Sequence, residues 1–186
     1  MENSGEEMGG KGGKLLVHTG KGKGKTTSAI GQIVRAVGQG LAAKYVSFFK
    51  GNEEQFQRGT ITVLRKLNVP TKNFVRDHPG FGRTSENRAQ TECVEALEYL
   101  EEYFSDEEEI CDLLVLDEVN VALESGYVKE EEFLSLLEMK PDDLELVCTG
   151  RGAPESLIEE ADLVSRIENV KHFYDDGVVQ RPGYEY

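Results

Sequence analysis

The feature that most constrains the fold of this chain is a glycine-rich turn between an apolar segment and an amphipathic helix. The apolar residues 15–17 lead through His18 into Thr19-Gly20-Lys21-Gly22-Lys23-Gly24-Lys25-Thr26-Thr27. Because glycine has no Cβ, such a turn can curl and direct several backbone N–H groups at one anion, and the positive end of the next helix strengthens the field. The run is therefore a phosphate-binding P-loop, although Thr19 stands where the usual spacing has its first glycine.

Eight residues of this turn are candidate nucleotide ligands, namely Gly20, Lys21, Gly22, Lys23, Gly24, Lys25, Thr26 and Thr27. The Lys25 ammonium would reach the phosphates, and the Thr26 hydroxyl is placed to bind a magnesium ion. The alternative is a flexible Gly/Lys linker, which residues 9–14 resemble. The apolar segment before the turn and an apolar helical stripe after it favour the phosphate site; the stripe consists of Ala29, Ile30, Ile33, Val34 and Val37.

The size and charge of the chain limit its domain count and its partners. A chain of 186 residues is long enough for one domain with a sizeable core, and we predict a flexible Gly-rich tail over residues 1–13 and a single domain over 14–186. The net charge of −14 disfavours nucleic acids and anionic membranes, because both need a basic face. With no apolar run of membrane-spanning length and no signal-peptide pattern, we expect a cytoplasmic protein.

Apolar segments of strand length alternate with segments of helical periodicity along most of the chain. We predict strands near 14–18, 43–49, 73–76, 112–117, 144–149 and 162–167. We predict helices near 25–39, 53–68, 85–104, 130–139 and 154–160. Such alternation indicates a parallel sheet covered on both faces. The prediction is an α/β, three-layer P-loop NTPase (RecA-like) fold with a mainly parallel sheet of about six strands.

A second chemical element is the apolar strand 113–116, which ends in the carboxylates Asp117 and Glu118. In P-loop proteins such a strand lies beside the first one, so that its terminal carboxylates face the phosphates and one of them can hold magnesium. The alternative is an ordinary strand end with Asp117 as a helix N-cap, a position where aspartate is common. The presence of the P-loop favours the metal site.

The ends of other predicted strands supply further candidates, because they would line the same crevice. Lys50 follows the second strand, and Arg151 stands between two glycines after the fifth, where it could equally be a surface turn residue. The loop 77–84 carries Phe81 between two glycines, with Arg83 close behind. An aromatic ring on such a loop suggests a flat, apolar ligand, whereas the residues taken alone favour Phe81 as a loop anchor that packs on the core.

Taken together, these segments resemble the P-loop ATP:corrinoid adenosyltransferases of vitamin B12 synthesis and salvage. The resemblance runs in the family's order from about residue 14 to the last residue. It rests on 19–27, Arg35-Ala36-Val37-Gly38, Phe49-Lys50-Gly51, Gly80-Phe81, Asn87-Arg88, Val115-Leu116-Asp117-Glu118, Thr149-Gly150-Arg151-Gly152, Val170-Lys171-His172, Gly177 and Gly183-Tyr184-Glu185-Tyr186. The P-loop alone is generic, but its irregular spacing combined with the other segments is specific to this family.

The resemblance implies an unusual use of ATP. In this family the Co(I) centre of a reduced corrinoid attacks the 5′ carbon of ATP and releases triphosphate, with the nucleotide held in reversed orientation compared with ordinary ATPases. The substrates would be ATP and either cobalamin or cobyrinic acid a,c-diamide, with Mg²⁺ or Mn²⁺ as cofactor. A reductase or another electron donor would supply Co(I), and the protein would be a homodimer.

The resemblance also implies roles for particular residues. Lys25, Glu118 and Phe81 would be the catalytic residues, since Lys25 stabilises the charge on the leaving triphosphate and Phe81 shields the lower face of the corrinoid. Thr26 and Glu118 would bind the metal ion, with Asp117 behind them. The remaining candidate substrate ligands are Lys50, Arg83 and Arg151, together with the residues of the P-loop.

Two departures from the family pattern and two rival functions remain. Arg83 stands where a family member has tryptophan, and the N-terminal segment is a short Gly-rich tail instead of a longer charged lid. A conventional P-loop ATPase or small-molecule kinase could use Glu118 as base and Arg151 as an arginine finger. A non-catalytic corrinoid carrier or sensor would bind both ligands without forming a carbon–cobalt bond.

Overall fold

The computed structural model describes residues 12–50, 58–106, 110–173, 177, 181, 183 and 184. Six strands are present in this part of the chain: β1 (Leu15–Thr19), β2 (Ala43–Phe48), β3 (Thr71–Phe74), β4 (Leu113–Asp117), β5 (Glu145–Thr149) and β6 (Leu163–Arg166). The α-helices are α1 (Lys25–Gly38), α2 (Arg58–Lys66), α3 (Glu86–Ser105), α4 (Val119–Glu124), α5 (Glu130–Glu138) and α6 (Glu155–Glu160). A 3₁₀ turn covers Pro79–Phe81.

All strand pairs are parallel, and the sheet has the order β3-β2-β4-β5-β1-β6. The predicted α/β fold with a six-stranded parallel sheet is therefore confirmed. The expectation that the carboxylate strand lies directly beside the first strand is wrong, because β5 pairs with both β1 and β4 and lies between them. The C-terminal ends of β1 and β4 still open toward one crevice. That edge of a parallel sheet is where ligands bind in α/β proteins.

One apolar core covers each face of the sheet, as a parallel sheet requires. On one face, Ile33 of α1 and Leu64 of α2 pack with the fully buried ring of Tyr45. On the other, Leu100 of α3 and Phe133 of α5 lie in the larger core. The central strand β4 contributes to both cores because its side chains alternate between the faces.

Two elements differ from the prediction. Strand β3 ends at Phe74, two residues early, because Val75 has a left-handed backbone with φ 57°. Helix α4 was not predicted; it begins directly after Glu118, whose φ of 66° reverses the chain within one residue. Residues 53–57 of the predicted second helix, and 1–11 of the predicted tail, lie outside the described residues.

The P-loop is tied to the segment that follows β6. The Gly22 N–H donates to the Ile167 carbonyl at 2.7 Å, and the Ile167 N–H donates to the Thr19 carbonyl at 2.8 Å. Gly20 has φ 97°, and a Cβ at this position would lie 2.4 Å from the Ile167 carbonyl oxygen. Gly20, which stands one position later than the first glycine of the usual P-loop, therefore permits both the turn and this close backbone contact.

Among the described helices, none has both the length and the apolar character needed to cross a lipid bilayer.

The contact at Gly20 leads to a stability prediction. We expect Gly20→Ala to lower the free energy of unfolding by about 2 kcal/mol or more, because the new methyl group collides with backbone at a left-handed position. Gly31→Ala, in α1 with open space around its Cβ position, should instead raise that free energy by about 0.5–1 kcal/mol. Urea unfolding measures both, and equal effects of the two substitutions would contradict the account.

Candidate active site

Polar side chains form a row across the C-terminal ends of the strands, on the face covered by α1. The Ser47 hydroxyl of β2 donates to Asn73 of β3 at 2.6 Å, and Ser47 is in register with Asp117 of β4. The Thr149 hydroxyl of β5 donates to Asp117 at 2.5 Å, and His18 of β1 is in register with Thr149. Adjacent parallel strands therefore end in polar groups directly beneath the P-loop.

The centre of this row is the Asp117 carboxylate, which is fully buried. Its Oδ1 accepts hydrogen bonds from the hydroxyls of Thr26 at 2.9 Å and Thr149 at 2.5 Å. Its Oδ2 accepts from the Tyr45 hydroxyl at 2.7 Å and from the Lys50 ammonium. Burial by itself would raise the pKa of Asp117, but the charge of Lys50 and the hydrogen bonds from Lys50, Thr149 and Tyr45 outweigh burial and lower it.

Lys50 joins the P-loop to both carboxylates at the end of β4. Its Nζ lies 2.8 Å from Thr26 Oγ1 and 3.3 Å from Glu118 Oε1, in addition to its contact with Asp117. Burial would lower the pKa of Lys50, but the charges of Asp117 and Glu118 have the larger combined effect and raise it. The lysine is thus a fixed positive charge at neutral pH.

Glu118 occupies the mouth of the crevice with about a quarter of its side chain exposed. Its backbone N–H donates to Thr149 Oγ1 at 3.2 Å, which helps to hold its left-handed conformation. Two residues later, the Asn120 amide donates to the carbonyls of His18 and Gly150, at 3.2 Å each. Asn120 thereby fixes the ends of β1 and β5 relative to α4.

Lys25 folds back over the P-loop. Its Nζ donates to the carbonyls of Gly20 and Gly22, both at 2.7 Å, and burial lowers its pKa. The first intrahelical bond of α1 runs from the Ser28 N–H to the Gly24 carbonyl at 2.8 Å. The N–H groups of residues 25–27 therefore have no partner within the helix and present the positive helix end to an anion.

The other P-loop side chains diverge. Lys21 and Thr27 are exposed. Lys23 points to the C-terminal segment, where its N–H donates to Asn169 Oδ1 at 3.2 Å and its Nζ donates to the Tyr184 carbonyl at 3.1 Å. Of the predicted ligands in this loop, the structure brings Lys25 and Thr26 together with Lys50 and Glu118, and it turns Lys23 away.

A cleft of about 640 Å³ adjoins the P-loop on the side of β5, β1 and β6. Its walls include three cationic side chains, Lys21, Arg151 and Arg166, and two acidic ones, Glu124 and Glu168. The predicted ligand Arg151 therefore lies next to the loop. A cavity of this size is in the range of small-molecule sites.

The loop after β3 is anchored by His78 and not by Phe81. The His78 ring packs against Phe49 and Tyr127, with centroids 5.2 and 5.9 Å away, and its Nδ1 accepts from the Gly80 N–H at 3.1 Å. The Phe81 side chain is 75% exposed. The interpretation of Phe81 as a packing anchor is therefore wrong, and its ring faces solvent on the same loop as the exposed Arg83.

The oxygens that could hold a metal ion are those of Thr26, Asp117 and Glu118. No cluster of three or more His, Cys, Asp or Glu residues occurs in the part of the chain that the structure describes. Magnesium commonly takes one or two carboxylates and completes its shell with water and phosphate oxygens. The Lys50 ammonium already sits among these oxygens as a cation, so the donor set fits a positively charged ligand.

Sequence reasoning missed Tyr45 and Asn120 as parts of this site, and it placed Thr149 at the crevice without its role as a donor to Asp117. Tyr45 and Thr149 carry hydroxyls on strands adjacent to β4, and their relevance follows only from the strand order. Asn120 could have been identified from the sequence, because it lies only two residues after the carboxylate pair and so near the same strand end.

The Asp117 network leads to a pH-dependent prediction. Because the pKa of Asp117 is lowered, its charge contributes stability above the ordinary value of 3.8, and that contribution is lost as the pH falls further. We expect Asp117→Asn to cost about 3 kcal/mol at neutral pH, since Lys50 loses its buried partner, and the cost to shrink below pH 3.8. Urea unfolding across this range measures the difference, with the exposed Asp143→Asn as control. A cost independent of pH would contradict the network.

Comparison with known proteins identifies relatives over most of the chain. A corrinoid adenosyltransferase of Sinorhizobium sp. is 34% identical over 177 residues, covering 94% of this chain and 80% of that protein. One from Pseudomonas aeruginosa is 32% identical, covering 94% and 84%. Corrinoid adenosyltransferase CobA of Salmonella typhimurium is 34% identical, covering 94% and 86%.

A solved structure, domain III of the Thermotoga maritima replication initiation protein DnaA, is a distant match with 17% identity and a TM-score of 0.43. The match covers 87% of this chain and 57% of that chain. The family model of the ATP:corrinoid adenosyltransferases BtuR/CobO/CobP matches residues 11–186. Because this family model covers nearly the whole chain and the relatives share about a third of its residues, the chain belongs to the ATP:corrinoid adenosyltransferase family.

Proposed function

We propose that this protein transfers the 5′-deoxyadenosyl group of ATP to the Co(I) centre of a reduced corrinoid in cobalamin synthesis or salvage. The family match over residues 11–186 carries the proposal, since it includes every element of the site. The acceptor would be cobalamin or cobyrinic acid a,c-diamide. The electron pair of Co(I) forms the cobalt–carbon bond, the bond between C5′ and O5′ breaks, and O5′ departs with the triphosphate.

In this reaction the P-loop holds a leaving group. The N–H groups at the start of α1 and the Lys25 ammonium would stabilise the charge that grows on the triphosphate as the C5′–O5′ bond breaks. Cobalt supplies its own electron pair, so the reaction needs no general base. To meet the phosphates, Lys25 exchanges its bonds to the carbonyls of Gly20 and Gly22 for phosphate oxygens.

A divalent cation, Mg²⁺ or Mn²⁺, would be held by the Thr26 hydroxyl and the Glu118 carboxylate. Asp117 would orient Thr26 through the hydrogen bond that their side chains already form. When bound, the metal would neutralise phosphate charge. Glu118 suits this role because it is partly exposed at the mouth of the crevice, whereas Asp117 is fully buried.

The corrinoid would lie against the loop that carries Phe81 and Arg83. This loop follows β3, and its anchor His78 packs on Tyr127, just beyond the end of α4. The exposed ring of Phe81 is available to cover one face of a flat macrocycle, since the anchor of the loop is His78. Arg83 would contact polar groups at the macrocycle's edge.

The wider setting of the protein belongs to the same proposal. A single domain over residues 14–186, with a tail over 1–13, would act as a homodimer in the cytoplasm. A reductase or another electron donor would supply Co(I).

Removal of the Lys25 ammonium tests the role of the P-loop. We expect Lys25→Ala to slow adenosylation of chemically prepared Co(I) cobalamin by about a hundredfold or more, because a charge that stabilises the leaving group is lost. Lys66→Ala, which removes an exposed lysine at the end of α2 and away from the site, is the control and should retain the wild-type rate. The appearance of the adenosyl-corrinoid spectrum under anaerobic conditions measures both rates. Near-normal turnover by Lys25→Ala would remove the loop from the mechanism.

Phe81 tests the corrinoid side of the site. We expect Phe81→Ala to slow reduction of bound Co(II) by about tenfold while changing the reaction of preformed Co(I) much less, because the ring would shield the macrocycle's lower face. Phe81→Tyr keeps an aromatic ring and should behave as the wild type. Parallel assays that start from Co(II) and from Co(I) separate the two steps, and equal losses in both would contradict the shielding role.

A further inference from the structure

The Lys50 ammonium sits at the centre of an oxygen cage. Its Nζ contacts Thr26 Oγ1 at 2.8 Å and Glu118 Oε1 at 3.3 Å, and it forms an ion pair with Asp117 Oδ2. These atoms come from α1 and from the consecutive residues at the end of β4, so two segments distant in sequence converge on one cation.

The same oxygens form a hard donor set suited to a divalent cation. A divalent ion and the ammonium cannot occupy this position together, because like charges a few ångströms apart repel strongly in a partly buried site. A lysine on a flexible four-carbon stem can leave such a position without a change of backbone.

We infer that Lys50 is the resident counter-ion of the metal position, occupying it in the nucleotide-free protein and swinging out to the phosphates when the metal–nucleotide complex binds. This inference rests on the metal position proposed above. The lysine thus keeps the carboxylates neutralised and the pocket assembled before the substrate arrives, and then adds its charge to the triphosphate site.

The hydrogen bonds of Asp117 allow this movement. When the ammonium leaves, Asp117 keeps its bonds from Tyr45 and Thr149, at 2.7 and 2.5 Å, and its bond from Thr26. Asp117 and Glu118 both lose the ammonium, but Asp117 stays buried under three hydroxyl donors, whereas Glu118 is the partly exposed carboxylate that faces the crevice. Departure of Lys50 therefore exposes a carboxylate where a metal ion can reach it.

The test is a titration of the full-length, nucleotide-free protein with Mn²⁺, with free Mn²⁺ counted by electron paramagnetic resonance. We expect Lys50→Met to bind Mn²⁺ at least about tenfold more tightly than the wild type, because the competing charge is gone while the oxygens remain. Lys66→Met, which removes an exposed lysine at the end of α2, is the matched control for net charge and should bind as the wild type. The double variant Lys50→Met/Glu118→Gln should lose the gain.

Lys50→Gln is the second variant in case Lys50→Met does not fold, since its amide still donates to Asp117, and the same gain is expected. Unchanged or weaker Mn²⁺ binding by a folded Lys50 variant would overturn the inference, as would an equal gain in Lys66→Met. The titration contains neither nucleotide nor corrinoid, so its result is independent of adenosyl transfer. An enzyme that transfers the adenosyl group but shows no gain would refute the counter-ion role alone. If Lys50→Met shows the tenfold gain in Mn²⁺ binding but the wild-type protein has no transferase activity, the counter-ion role is supported and the proposed function is refuted.

Discussion

The site depends on one buried negative charge, the Asp117 carboxylate. A fully buried carboxylate stays ionised only if donors and a cation compensate for lost hydration, and here three hydroxyls and an ammonium do so. Each donor lies on a different element, so the same bonds that stabilise the charge also fix α1, β2 and β5 relative to β4. The geometry of the P-loop thus follows from the satisfaction of Asp117, because Thr26 is bonded to it.

The crevice around Asp117 is bordered by two different kinds of surface, one charged and one aromatic. The cleft beside β5, β1 and β6 is lined by cationic and acidic side chains, whereas the loop after β3 presents the exposed ring of Phe81. A parallel sheet places both at its C-terminal edge. In the proposed reaction the nucleophile approaches C5′ from the side opposite to the leaving oxygen. With the triphosphate on the P-loop, the corrinoid beside Phe81 would therefore face C5′ from the other side.

Much of this arrangement was predictable from local patterns, and the rest depended on contacts between distant segments. The P-loop and the Leu113–Asp117 strand were predicted because each is a local sequence pattern. One is a glycine-rich turn and the other is an apolar run that ends in acidic residues. The roles of Tyr45 and Thr149 were not predicted, because nothing local says which strands flank β4. The left-handed Glu118 and Val75 were missed for a different reason, since neither residue type normally adopts a positive φ. His78 replaced Phe81 as the loop anchor through long-range packing on Tyr127.

In the proposed reaction, the P-loop holds a leaving group instead of presenting a terminal phosphate for transfer. ATP radiolabelled at its α-phosphate, incubated anaerobically with the enzyme, a divalent cation and Co(I) cobalamin, tests this claim directly. Cleavage between C5′ and O5′ predicts that the label appears in inorganic triphosphate, in equal amount to the adenosyl-corrinoid formed. Label recovered in ADP, with cobalt unalkylated, would show cleavage at the terminal phosphate and contradict the account.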